Sequence, residues 1–217
     1  MVHGDDKGLV LPPRVAPIQV IIIPIYYSDE DKEKIQKVSK EIAEHLKKVK
    51  IRVQVDNREQ LTPGFKFNDW EMKGIPLRIE IGPREADSDE VTIVNRITKE
   101  KDKLNLKDIE KDLNKHIYEF EKQLKNRADE YFKGNTKDAD SLEKIKKIIE
   151  EHRGFIKVPW CSTEKEGEEC ADILKADTQG GVVSGTKFES PEKPKKGQKC
   201  AICGKPAKHI VYVAKSY

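Results

Sequence analysis

Apolar residues along this chain switch between two periods, and the switching lays out a fold. IQVIIIPIYY (18–27) is apolar and β-branched almost throughout, as expected of a buried strand. The acidic run after it opens a helix: Ser28 is placed to cap it, and the early carboxylates suit the positive end of the helix dipole. Ile35, Val38, Ile42, Leu46 and Val49 then recur at steps of three and four, one apolar stripe. IRVQVD (51–56) alternates, with Ile51, Val53 and Val55 on one face. TPGFKFNDWEMKG (62–74) reads as a turn entering a short helix, and PLRIEIGP (76–83) and VTIVNRI (91–97) alternate again. Strand, helix, strand, helix, strand is an α/β order, with right-handed crossovers expected.

From Leu106 the period lengthens into a long helix striped by Ile109, Leu113, Ile117, Phe120, Leu124 and Tyr131. KGNTKDAD (133–140) breaks it and SLEKIKKIIEEHR resumes helical spacing. KFESPEKPKKGQK (187–199) is charged and proline-bearing, an exposed loop, and a short strand runs to the terminus. No internal repeat is present, and a domain boundary is expected between about 100 and 110.

Composition narrows the classes. Among 217 residues, 42 basic against 39 acidic leave a net charge of only +3, which excludes a polycation that coats its partner but allows a local basic patch. No apolar run approaches the roughly 18 residues of a membrane span, and MVHGDDKGLVLPPR lacks the layout of a signal peptide. The expected compartment is the cytoplasm, where thiols stay reduced and paired cysteines more often hold metal than each other. Signatures of common hydrolase, nucleotide-binding and metalloprotease sites (G-x-S-x-G, G-x-x-x-x-G-K-[ST], H-E-x-x-H) are missing from the sequence.

The four cysteines fall in the last 57 residues: Cys161, Cys170, and the pair Cys200 and Cys203 in C-A-I-C-G. Two residues between thiolates let both meet one ion, and Gly204 permits the tight turn. Four such ligands close a tetrahedral zinc site with no open position, which is structural and not catalytic. His152 and His209 are weaker competitors, and a redox role for Cys200 and Cys203 is the alternative. A redox C-x-x-C normally opens a helix after a strand, whereas this one lies between a charged loop and a strand.

The remaining chemistry is concentrated in REQLTPGFKFNDWEMKGIPLRIEIGPRE (58–85). Such a mixture can be a packing unit with solvated ions. It also suits single-stranded RNA: carboxylates accept from the Watson–Crick edge of guanine, arginines donate to its O6 and N7, and aromatic rings stack on splayed bases.

GDDKGLVLPPRVAPIQVIIIPI, TPGFKFNDWEMKGIPLRIEIGPRE and the terminal KSY resemble prolyl-tRNA synthetases of the archaeal and eukaryotic type, and the W-E-x-K-G-x-P-x-R-x-E-x-G-P run carries the likeness. The resemblance implies an α/β fold: a class IIa anticodon-binding domain, with a mixed sheet flanked by helices, followed by a small α+β zinc-binding domain. It implies a remnant of the class II catalytic domain over 1–16, the anticodon-binding domain over 17–104 and the zinc-binding domain over 105–217. Proline codons require guanine at the second and third anticodon positions. By resemblance Glu71 and Arg78 read the third base, and Arg84, Glu85 and Lys99 the second, with Lys101 an equal candidate for the lysine. Phe65, Phe67 and Trp70 are expected in the core or positioning backbone more than stacking on bases. Tyr217 is expected to dock towards the synthetase active site. The catalytic core, with its ATP and magnesium, is expected to lie outside this stretch, which alone should not activate proline. The implied partners are proline tRNA, the catalytic domain and a second copy in the full enzyme's homodimer, with no membrane and no DNA. A stand-alone zinc-containing RNA-binding module without ligase activity is the alternative.

Overall fold

A computed structural model describes residues 3–151 and 154–215. His152 and Tyr217 lie outside the described residues. The chain divides into two compact units, Met1–Ala128 and Asp129–Tyr217.

The first unit begins with a two-stranded antiparallel hairpin, β1 (Gly4–Asp5) and β2 (Gly8–Leu9). Its sheet starts at β3 (Val20–Pro24), every residue of which is buried. Helix α1 (Asp29–Lys48) opens as expected, the Ser28 hydroxyl accepting from the Asp31 N–H at 3.2 Å. Then come β4 (Val53–Val55), α2 (Pro63–Met72, capped by Thr62), β5 (Leu77–Ile81), the single turn α3 (Pro83–Ala86), β6 (Glu90–Asn95) and β7 (Lys101–Asn105). The strand order is β4-β3-β5-β6-β7, parallel through β4, β3 and β5 and antiparallel beyond: the expected mixed sheet.

Strand β7 is absent from the sequence expectations. KDKLN carries one buried apolar residue, Leu104, and belongs to an edge, where lysines discourage pairing with another chain.

The two faces of this sheet are unlike. On one, Val20, Ile22, Leu77, Ile79, Ile81, Val91 and Ile93 pack with Ile35, Ala43 and Leu46 of α1 and with Ile109, Leu113, Phe120 and Leu124 of the long helix α4 (Ile109–Gly134). That packing explains why the compact unit ends at Ala128 and not near residue 104: the front of α4 completes the first core. Tyr131, expected in the same stripe, is 65% exposed. On the other face α2 packs, with Trp70 and Phe67 against Ile21 and Ile23, joined by Ile75. Arg78 and Glu80 of β5 rise on this face. The register sets Arg78 beside Ile21 and Val94, and Lys101 beyond Val94; it sets Glu80 beside Ile23 and Thr92. A half-covered sheet with charged rows is the setting of the first site.

The second unit carries β8 (Thr136–Asp138), α5 (Leu142–Glu151), β9 (Phe155–Trp160), α6 (Glu168–Asp177), β10 (Gly181–Gly185) and β11 (His209–Lys215). The strand order is β10-β11-β9-β8, with only the β8–β9 pair parallel. Ile145, Ile149 and Leu174 of the helices pack on Ile156, Val158, Val211 and Val213. No element spans 187–199, in accord with its reading as a loop.

Candidate nucleic-acid interface and metal centre

Glu71 sits at the end of α2, brought over the sheet because Trp70 beside it is anchored underneath. The Trp70 indole N–H donates to the Asp56 carboxylate at 2.7 Å. Arg58 closes on the same carboxylate at 2.7 and 2.9 Å and reaches Asp69 at 2.8 Å, while the buried Lys66 donates to the Asp56 carbonyl oxygen. Burial opposes ionisation of Asp56, but the Arg58 and Trp70 hydrogen bonds win and hold its pKa at about 2. The last turn of α2 is thereby fastened, and Glu71 is presented beside the anchor.

Three cations converge on one oxygen of Glu71. Lys99 Nζ lies 2.5 Å from Oε1, Lys7 Nζ 3.8 Å and Arg96 Nη1 4.0 Å. Oε2 accepts no hydrogen bond among the described residues. Burial raises the cost of the Glu71 charge, yet Lys99, Arg96 and Lys7 together keep its carboxyl below the usual value. Lys99 feels the opposite balance: burial and the nearby Arg96 and Lys7 charges push its ammonium below the ordinary range despite Glu71. Lys99 occupies a left-handed backbone position, φ 63°, closing the β6–β7 turn. Its N–H donates to the Asn95 carbonyl oxygen, and the Asn95 side-chain oxygen accepts from the N–H groups of Ile97 and Thr98. The sequence left Lys99 and Lys101 level; the structure gives Lys99 to Glu71 and Lys101 to Glu80.

Glu80 differs from Glu71. Arg78 donates through Nε and Nη2 to its Oε1 at 3.0 and 2.8 Å, and Lys101 donates to its Oε2 at 2.8 Å, so both oxygens are taken. The Arg78 guanidinium also lies 4.1 Å from the Phe67 ring centroid, and its Nη1 has no partner among the described residues. Arg78 is thus fixed over the face of a ring with one nitrogen to spare.

Glu71, Arg78, Asn95, Arg96 and Lys99 line one small cleft floored by Ile21, Trp70, Ile75 and Val94. Arg84 and Glu85 lie outside that lining, on α3. Arg84 is exposed, with no hydrogen bond or ion pair among the described residues. Glu85 caps the first turn of α3: it accepts from the Gly82 N–H at 3.0 Å, and its other oxygen accepts from the Thr92 hydroxyl at 3.2 Å. Phe67 and Trp70 are core residues as expected, whereas Phe65 is 55% exposed on α2. Sequence reasoning passed over Arg96, whose side chain is 3% exposed. Its sole signal was position, directly after an alternating strand.

In the second unit the four thiols meet. All four sulfurs lie within 4.8 Å of one another. Cys161 directly follows β9, Cys170 lies on α6, and Cys200 and Cys203 flank the turn before β11. Gly204, at φ 71°, supplies the left-handed residue that the turn requires, and its N–H donates to the Cys200 carbonyl oxygen at 3.1 Å. Cys161 and Cys170 sulfurs are 3.7 Å apart, close to the roughly 3.8 Å edge of a tetrahedron with 2.3 Å metal–sulfur bonds. Burial and the neighbouring thiols push Cys170 well above the ordinary thiol range. For Cys203 burial is outweighed by the Lys205 N–H and the surrounding thiols, which bring it to about 7. Four thiols so close cannot all ionise without a cation between them. The donor set therefore fits a metal ion held by four sulfurs. His209 does not join the cluster.

Comparison with known proteins bears on both units. Residues 19–116 match the anticodon binding domain family and residues 142–217 the family of prolyl-tRNA synthetase C-terminal domains. The chain is 43% identical over 222 residues to a proline–tRNA ligase of Thermofilum pendens and 38% identical over 216 residues to that of Thermococcus kodakarensis, in each case along 100% of its own length. A solved structure of Giardia lamblia prolyl-tRNA synthetase in complex with prolyl-adenylate superposes with a TM-score of 0.87 at 32% identity, again over 100% of this chain and 46% of that one.

The chain carries an anticodon binding domain followed by a prolyl-tRNA synthetase C-terminal domain. It spans 43–44% of the length of those two curated relatives and corresponds to their C-terminal, anticodon-binding part. The mixed-sheet unit is an anticodon-binding domain of the class II type. No helix among the described residues is long and apolar enough to cross a membrane.

Proposed function

We propose that this chain reads the two anticodon guanines of proline tRNA on behalf of a proline–tRNA ligase. The whole enzyme would join proline to that tRNA through an adenylate, with ATP and magnesium held in its catalytic domain, as a homodimer in the cytoplasm.

One observation carries the reading: Glu71 keeps a free carboxylate oxygen and Arg78 a free guanidinium nitrogen on the walls of one cleft, while Glu80 beside them is saturated. Guanine presents adjacent donors at N1 and N2 and acceptors at O6 and N7, so an anionic acceptor and a planar cation suit it and not adenine. In this reading Glu71 and Arg78 take one guanine. Arg84 and Lys99 take the other, and Glu85 orders the turn that carries Arg84. The four cysteines hold a structural zinc ion, which ties the end of β9, α6 and the turn before β11 together. Relatives that are proline–tRNA ligases along the full length of this chain favour this reading over a free-standing RNA module.

Fluorescence anisotropy with a proline anticodon stem-loop, against one with both guanines replaced by adenine, tests it. Several-fold tighter binding of the guanine loop supports the reading; equal binding overturns it.

A further inference from the structure

The hairpin β1–β2 is built into the wall of the cleft. Asp5 holds Arg96 with both oxygens, at 2.7 and 2.9 Å, and its Oδ1 also accepts the Lys7 N–H at 3.0 Å. Arg96 in turn donates through Nε to the Glu71 carbonyl oxygen at 2.9 Å and stands 4.0 Å from the Glu71 carboxylate. Lys7 reaches the same carboxylate oxygen from the hairpin's own turn. The hairpin is fitted closely to α2: a Cβ on Gly8 would come within 2.5 Å of the Met72 carbonyl oxygen, and one on Gly74 within 2.6 Å of Leu9. Arg127 secures its other side by donating to the Gly4 carbonyl oxygen at 3.3 Å.

Two of the three cations that draw on Glu71 Oε1 are therefore set by the hairpin, Arg96 through Asp5 and Lys7 directly. All three come nearest to the same oxygen, and this one-sidedness leaves Oε2 without a hydrogen bond among the described residues. An arginine without its carboxylate partner would be free to fork across both oxygens of Glu71, as Arg–carboxylate pairs prefer.

We propose that Asp5 and Lys7 are positioning residues for base reading: the hairpin aims Glu71 and thereby sets the preference for guanine. The proposal rests on the anticodon reading above and extends it to a segment that contacts the cleft from behind. It makes the hairpin a determinant of discrimination more than of affinity, because neither Asp5 nor Lys7 needs to touch the base.

The experiment measures binding of the guanine and adenine stem-loops to the full chain carrying Asp5→Asn, Asp5→Glu, Lys7→Met or Glu71→Gln, with thermal unfolding of each. Glu71→Gln should abolish the guanine preference; if it does not, the anticodon reading itself fails. Given that loss, Asp5→Asn should reduce the guanine-to-adenine ratio by about fivefold or more, while Asp5→Glu restores it at least in part. Lys7→Met should lower the ratio in the same direction without loss of melting temperature, since the Lys7 side chain is 68% exposed. An unchanged ratio in both Asp5→Asn and Lys7→Met, with Glu71→Gln still defective, overturns the proposal. So does a fall in affinity for both loops alike, accompanied by a lower melting temperature, which is what a merely structural hairpin would give.

Discussion

Lys99 meets Glu71 at 2.5 Å from a backbone position that lysine rarely adopts, φ 63°. The turn that holds it there is secured by Asn95, which accepts from three backbone N–H groups, so the strain is imposed by the hairpin and not by the ion pair.

Conformation and charge can accordingly be separated at this residue. Lys99→Gly removes the ammonium and the left-handed cost together, and should leave unfolding free energy within about 1 kcal/mol of the parent. Affinity for the guanine stem-loop should nevertheless fall about tenfold. Urea unfolding and anisotropy on the same sample decide it; a variant that binds normally would remove Lys99 from the interface.

Asp56 gives the first unit a pH dependence of known sign. Its pKa of about 2 lies below the ordinary 3.8, so its stabilisation is complete above that ordinary value and is lost as pH falls towards 2. Asp56→Asn should cost about 2 kcal/mol or more at neutral pH, since Arg58 and the buried Lys66 lose their anion. The gap between parent and variant in denaturant titrations should close as pH drops from 5 to about 2.5.

The metal centre predicts stoichiometry and replacement. Purified protein should contain about one zinc per chain, and a chelator that strips it should melt the second unit while the first keeps its own transition. Cys203 is the exposed member, so Cys203→His should retain the ion where Cys203→Ala loses it. Elemental analysis with calorimetry reads both. Full folding without metal would sink the assignment.

Gly8 has φ 124° and no room for a side chain. Gly8→Ala should lift the hairpin from α2, costing more than about 1 kcal/mol locally. Amide exchange at Val10, whose N–H donates to the His3 carbonyl oxygen, should quicken while the Leu77 and Ile79 amides of β5 stay protected.

Much of this was legible in the chain and some was not, for physical reasons. Strands β3 and β5 and helix α1 announce themselves because burial on one or both faces writes a strict period into the residues. Strand β7 and the β1–β2 hairpin do not, because an edge strand of KDKLN and a two-residue strand of Gly–Asp bury too little to leave a pattern. C-A-I-C-G pointed to a metal since its spacing is local, yet how Cys161 and Cys170 would join was a matter of tertiary packing around Trp160 and Gly167. Glu71 and Arg78 were singled out by resemblance. What resemblance could not give was the difference between Glu71 and Glu80, which depends on which oxygen each cation reaches.

A chain that began at Pro17 would still possess all of β3 to β7 and the helices that cover them. It would lack Asp5 and Lys7, and Arg96 would lose the carboxylate that holds both its terminal nitrogens. Autonomy of folding and fidelity of recognition would then part company: the limits of the smallest piece that folds are not the limits of the smallest piece that can tell one base from another.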